Sequence, residues 1–379
     1  MHNRDISLVR SPQSYSRELW VVKIRFVGMA KLRVLWFLDC SLFHSALNKN
    51  IIRRKFGLPL EEIMAITRVH HVGLVNGDLD HARQVLVEGF GLAVDEHRSP
   101  LPGRTGYDGT TILEFPIGEM YYEVAKPNDS TSDAAKFLES TKGRGGMYYI
   151  SLASSDMAGD IQGILDRGGR LQGDWDGKGP VCLDPDTSLG LQIEITPEDN
   201  YFPHPHYKGN GVCMGMAHIG IAARNPHESR SFWSTILGLR EDLRERSGGG
   251  DWEERLEKDG SDPDRRRGAA DDPVYILEYP IGGTVIEISH PTTSDSGTAR
   301  LVASRAALGA VYHHTAPYTW NVHRFVDQAV AAGMEQIGSI PPREVSTRAT
   351  GWFHPRGCLG MLLEPWNRPP GVEHYHVHK

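Results

Sequence analysis

The four cysteines (Cys40, Cys182, Cys213 and Cys358) form no CxxC pair. No disulfide framework and no thiolate zinc site is legible, and a reducing, cytoplasmic setting fits. Long apolar runs are also missing. The most apolar stretch, LWVVKIRFVGMAKLRVLWFLDC at 19–40, is broken by Lys23, Arg25, Lys31 and Arg33, so it falls short of the ~18–20 apolar residues that span a bilayer. Acidic residues are scarce only at the start. Residues 1–56 hold eleven Lys/Arg against three Asp/Glu, while the whole chain carries a net charge of −7. The remainder is therefore strongly acidic, which argues against nucleic acid as the main partner. No basic cluster marks a coenzyme phosphate site, and no glutathione motif is readable.

The Arg-rich, acid-poor start admits an organelle-targeting reading. Residues 1–63 have no counterpart elsewhere in the chain, and they are expected to lie outside the fold or to be disordered. The folded body is expected to begin at Met64.

What is present is repetition. Four short apolar strands, RVHHVGLV (68–75), MYYISLA (147–153), MAHIGIA (216–222) and VYHHTAP (311–317), each lead into an amphipathic helical stretch that ends at glycine. Each unit then runs through turn-rich sequence to a strand bearing a glutamate: MYYEVAKP, GLQIEITP, TVIEISHP and GMLLEPW. The marker-to-glutamate spacings are 52 residues (His71 to Glu123), 45 (Tyr149 to Glu194), 69 (His218 to Glu287) and 50 (His314 to Glu364). The long third spacing comes from a charged, glycine-rich insertion at roughly 245–272, which reads as a solvated surface loop. PEDNYFPHPHYKGNG is rich in Pro, Gly and Asn and reads as a linker. The expected organisation is a first domain at 64–197, a linker at 198–212, a second domain at 213–368 and a His-rich tail at 369–379.

These residues resemble the vicinal oxygen chelate superfamily, the glyoxalase, bleomycin-resistance and extradiol dioxygenase group. SDAAKFLESTKGRGGMYYISLASSDMAGDIQGILDRGGRL, HPRGCLGMLLEPW and LDPDTSLGLQIEITP are most similar to methylmalonyl-CoA epimerase and glyoxalase I-like members. The resemblance covers residues 67–367. It implies an α+β fold of four βαβββ units, paired into two cup-shaped mixed-sheet domains. It also implies one divalent metal ion (Zn, Ni, Co, Mn or Fe), held by one ligand from each first strand and one from each last strand.

Carried over residue by residue, the second-half ligands are His218, Glu287, His314 and Glu364. Two neutral imidazoles and two carboxylates suit a borderline divalent ion. The first-half equivalents are His71, Glu123, Tyr149 and Glu194. Tyr149 stands where His314 stands, and a phenol with a pKa near 10 is a poor ligand at neutral pH. The first site is therefore expected to be degenerate. Strand alternation would send His70 and His313 to the opposite face. His204, His206, His374, His376 and His378 read as solvated histidines.

The function implied is a metal-dependent isomerase or lyase of the glyoxalase–epimerase type. It would abstract a proton next to a carbonyl with metal stabilisation of an enediolate, Glu364 as base and Glu287 facing it. The substrate would be a small oxygenated molecule and the protein a monomer or homodimer. Two alternatives stand beside this reading: an extradiol-type ring-cleaving dioxygenase using ferrous iron on His218, His314 and Glu364, and a non-catalytic small-molecule binding protein.

Overall fold

The computed structural model describes residues 4–10, 20–26, 65–103, 107–198, 205–207, 209–243, 273–340 and 350–367. The insertion at 245–272, the tail at 369–379, His204, Met64 and most of the N-terminal 63 residues lie outside them. The chain divides into two compact units, Met1–Ile63 and Met64–Lys379. In the first unit, strands β1 (Arg4–Arg10) and β2 (Trp20–Phe26) pair antiparallel, with Arg4 opposite Phe26.

The second unit contains two sheets of one pattern. The first uses β3 (Ile66–Val75), β4 (Leu101–Pro102), β5 (Thr110–Ile117), β6 (Met120–Pro127), β7 (Gly146–Ser154), β8 (Val181–Cys182) and β9 (Gln192–Pro197), in the order β4-β5-β6-β3-β7-β9-β8. Strands β3 and β7 run antiparallel at its centre. Each is flanked by the last strand of its own unit in parallel: β6 beside β3, and β9 beside β7. The second sheet repeats this with β10 (Cys213–Ala223), β11 (Val274–Ile281), β12 (Thr284–Pro291), β13 (Ala310–Thr319), β14 (Gln336–Ile337), β15 (Trp352–Phe353) and β16 (Leu362–Leu363). Its order is β11-β12-β10-β13-β16-β15-β14, and β17 (Trp366–Asn367) also pairs with β13. The observed architecture is the expected α+β arrangement of four βαβββ units in two cups.

Local chemistry explains the crossovers. Helices α1 (Leu79–Arg83), α3 (Met157–Asp166), α4 (Pro226–Arg230) and α6 (Val322–Ala331) follow the four first strands. Asp78, Asp156, Asn225 and Asn321 cap them, each accepting from backbone N–H groups of the first turn. Helices α1 and α4 widen into a π-helical turn, at Gln84–Gly89 and Ser231–Ile236. Helices α2 (Asp133–Ser140) and α5 (Gly297–Arg305) join the two units of each pair, with Ser132 and Ser296 as their caps. The tight β5–β6 turn places Gly118 at φ 61°, the left-handed region that a two-residue hairpin requires.

The two sheets share one core. Phe90 of the first half packs edge-on against Phe325 of the second, with centroids 5.5 Å apart. The buried Tyr122 hydroxyl and the Thr315 hydroxyl hydrogen-bond at 2.7 Å.

One irregularity recurs four times. In each central strand pair, the residue before each first-strand marker has no partner across the ladder: His70, Tyr148, Ala217 and His313. These are β-bulges, which locally re-aim side chains. They break the alternation that the sequence pattern alone would impose.

Candidate metal centre

In the second cup, β10 carries His218, β12 carries Glu287 and β13 carries His314, while Glu364 directly follows β16. Register brings them together: Gly220 lies opposite both Glu287 and His314, and His314 lies opposite Leu362. Gly220 is needed here, because a Cβ at this position would collide with the His314 ring. His218 Nε2 lies 2.9 Å from His314 Nε2, 3.1 Å from Glu364 Oε2 and 3.9 Å from Glu287 Oε2. His314 Nε2 lies 3.4 Å from Glu364 Oε2. Thr350 donates to Glu364 Oε1 at 3.3 Å. His218, His314 and Glu364 are buried, and Glu287 is partly exposed. All four ligand candidates from the sequence therefore meet at one point. His218, Glu287 and His314 also form a group of three whose ligand atoms all lie within 4.8 Å of one another.

This donor set fits a divalent ion. Ligands bonded at about 2.0–2.2 Å to one ion sit roughly 3–3.5 Å apart, and three of the four separations above fall at or close to that range. The electrostatics agree. Burial opposes charge on His218, yet Glu287 and Glu364 raise its pKa above the usual imidazole value. Burial likewise disfavours the Glu364 carboxylate, but hydrogen bonds from His218 and His314 outweigh it and hold the group below the ordinary carboxylate range. A field that draws a proton to His218 also draws a metal cation.

The first cup brings its four equivalents together on a different plan. His71 Nε2 lies 3.5 Å from Glu123 Oε2 and 3.4 Å from Glu194 Oε1. The Tyr149 hydroxyl donates to Glu123 Oε2, and the Ser151 hydroxyl donates to Glu194 Oε1 at 2.6 Å. The Tyr149 ring crosses Gly73, where a Cβ would collide with it. Tyr107 packs against Tyr149 with centroids 4.0 Å apart, and both rings are almost fully buried. Aromatic mass occupies the middle of this cup.

The expectation for His70 and His313 needs correction. The bulges bring each one beside its neighbour: His70 Nδ1 lies 2.9 Å from His71 Nδ1, and His313 Nδ1 lies 3.2 Å from His314 Nδ1. Of the other histidine calls, His206 sits in a short turn edge-on to Tyr207, whereas His374, His376 and His378 lie outside the described residues.

Sequence reasoning also missed several neighbours. Glu114 stands opposite Glu123, and Glu278 stands opposite Glu287. The signal was the repeated ILEFPIG (112–118) and ILEYPIG (276–282). Arg98 grips Glu114 through Nε at 2.6 Å and Nη2 at 3.1 Å. Burial and the nearby Glu123 charge nevertheless push the Glu114 pKa up to about 7. Trp352 lies edge-on to His314 and Trp366 edge-on to His218, at 5.3 and 5.6 Å.

The chain resembles a mutant of 4-hydroxymandelate synthase from Streptomyces coelicolor at TM-score 0.54 and 13% identity, over 82% of this chain and 95% of that one. It resembles a xylose isomerase-like TIM barrel/4-hydroxyphenylpyruvate dioxygenase fusion protein at TM-score 0.52 and 13% identity, over 83% of this chain and 51% of that one. A methylmalonyl-CoA epimerase from Streptomyces coelicolor matches at 22% identity and TM-score 0.31, over 35% of this chain and 98% of that one. None of the curated proteins matches the chain. At these identities the likeness to the two larger proteins shows the shared fold alone. No helix among the described residues is long and apolar enough to cross a membrane. Residues 215–359 match the family model described as the Glyoxalase/Bleomycin resistance protein/Dioxygenase superfamily, and this matched stretch contains His218, Glu287 and His314.

Proposed function

We propose that the protein is a metal-dependent isomerase or lyase that moves a proton on a carbon next to a carbonyl of a small oxygenated substrate. The observation that carries this reading is the pair of carboxylates flanking His218 and His314, held with unequal firmness. Bound at His218, Glu287, His314 and Glu364, a divalent ion would supply Lewis-acid polarisation of substrate oxygens. Glu364, expected from the resemblance to be the base, accepts hydrogen bonds from His218 and Thr350 and is buried, and in this reading it holds the centre instead. Glu287 lies farther from His218 and is more exposed. It is the carboxylate better placed to take a proton from substrate carbon and return it. Trp352 and Trp366 wall the two imidazoles and exclude water from the reacting carbon. The first cup, with Tyr149 on Glu123, serves as scaffold.

The dioxygenase alternative has one observation in its favour: His218, His314 and Glu364 alone form a two-His, one-carboxylate set, the ligand type of non-haem ferrous oxygenases. One experiment separates the two. The metal-loaded protein is incubated in D2O with 2-oxoaldehyde–thiol adducts and with 2-methyl acyl thioesters, and deuterium incorporation is followed by mass spectrometry. Exchange that Glu287→Gln abolishes supports proton transfer. Oxygen uptake with iron(II) and catechols or arylpyruvates, without exchange, would replace this reading by the alternative.

A further inference from the structure

We propose that His313 is a positioning residue of this centre: it accepts a hydrogen bond from Nδ1–H of His314 and so keeps the His314 Nε2 lone pair turned toward the metal position. The inference rests on the four-donor reading above.

A neutral imidazole carries one N–H and one lone pair. His314 Nε2 faces His218 Nε2 and Glu364 Oε2. To offer its lone pair there, His314 must carry its proton on Nδ1, and that proton needs an acceptor. The Nδ1 atom of His313 lies 3.2 Å away. The ring planes stand at 85° with centroids 4.9 Å apart, and the two Nδ1 atoms make the close approach between them. A ligand imidazole's outer N–H is commonly fixed by such a partner, which sets tautomer and ring orientation together.

The backbone is shaped for this contact. His314 pairs with Gly220 and Tyr312 with Ile221, which leaves His313 as the extra residue of a bulge. In a regular strand it would point to the other face. The first cup repeats the bulge without a histidine at the place of His314. Its equivalent bulge holds Tyr148 beside Tyr149, and the ring at the centre there is a phenol with no second ring nitrogen to orient. The first cup's one centre imidazole, His71, does have a histidine beside it: His70, itself a bulge residue, with Nδ1 at 2.9 Å.

The test uses the full-length chain and cobalt(II) as the probe. Affinity is measured by chelator competition, and the cobalt absorption spectrum reports the ligand field. His313→Phe keeps a ring but offers no acceptor, and cobalt affinity should fall about 10- to 100-fold. His313→Asn can present a carbonyl oxygen near the position of Nδ1 and should recover to within about 3-fold of the natural chain. Wild-type affinity in His313→Phe would overturn the proposal. Equal weakening in His313→Phe and His313→Asn would also overturn it, since ring packing rather than the hydrogen bond would then be at work. His314→Ala tells the two layers apart. If the natural chain and His314→Ala bind cobalt equally poorly, the metal reading falls and this inference with it. If His314→Ala alone loses cobalt, only the His313 variants decide.

Discussion

Tyr149→Phe removes one oxygen from the middle of the first cup and leaves the ring in place. In the folded chain, the phenol donates to Glu123 Oε2, and both residues are about 1% exposed. Deleting the donor leaves a buried carboxylate oxygen short of a partner. Such a loss costs about 1–3 kcal/mol, and more where the acceptor is charged. His71 Nε2 at 3.5 Å can close on Glu123 and offset part of it, so about 2 kcal/mol is the working figure. For a unit of roughly 300 residues, with an unfolding entropy of about 2.1 cal/mol/K per residue, this lowers Tm by about 3 °C. The assay is differential scanning calorimetry, paired with metal content by elemental analysis. The expected result is a lower Tm with an unchanged metal-to-chain ratio near one. His314→Ala should do the reverse, removing most of the metal while shifting the apo-protein Tm less than the holo-protein Tm. If Tyr149→Phe emptied the metal and His314→Ala kept it, the working centre would have been assigned to the wrong cup.

Other outcomes follow from the same geometry. Glu287→Gln should retain metal and lose turnover, whereas Glu364→Gln should lose metal affinity, as read by chelator competition and steady-state kinetics. Gly220→Ala should displace the His314 ring and strip the centre, while Gly168→Ala, a left-handed glycine whose Cβ would meet nothing within 4 Å, should cost only backbone strain. Glu114 holds its proton more tightly folded than unfolded, with its pKa raised from 4.5 to about 7 by burial first and Glu123 next. That contribution to stability is complete below pH ~4.5 and lost as pH rises toward ~7. It amounts to at most about 3 kcal/mol, and Glu114→Gln should flatten that slope in denaturant melts.

The sequence carried the fold because the repeated strand–helix–glutamate pattern is local and periodic. His218, Glu287, His314 and Glu364 were expected as ligands from the family resemblance, and the fold brings their side chains together. The bulges were not legible. An extra residue in one strand shows only in the ladder opposite it, and nothing in HHV, YYI, AHI or HHT announces which residue loses its partner. His70 and His313 were assigned to the wrong face for that reason. Glu114 and Glu278 were missed because they sit on β5 and β11, outside the two strands per unit from which ligands were sought, although ILEFPIG and ILEYPIG repeat in plain view. Arg98 lies in irregular backbone after α1, where no periodicity points inward.

The first cup is mechanically linked to the second. Tyr122 is the neighbour of Glu123 on β6, and strand alternation turns its side chain away from the first cup's centre. Its hydroxyl reaches Thr315 Oγ1, the neighbour of His314 on β13. The Thr315 carbonyl in turn accepts the backbone N–H of Glu364 at 2.9 Å. A single buried hydrogen bond therefore joins the strand that carries Glu123 to the residue lying between two ligands of the second centre. Tyr122 thereby ties β6 to β13. Tyr122→Phe should thus weaken metal binding without touching a ligand. Thr315→Val also cuts the Thr315 Oγ1–Met361 Sδ contact at 3.0 Å and should weaken it at least as much, and the double variant should be no worse than Thr315→Val alone, because the Tyr122–Thr315 bond is already lost. Additive losses in metal affinity would show that Tyr122 and Thr315 act separately and that the two cups are merely joined.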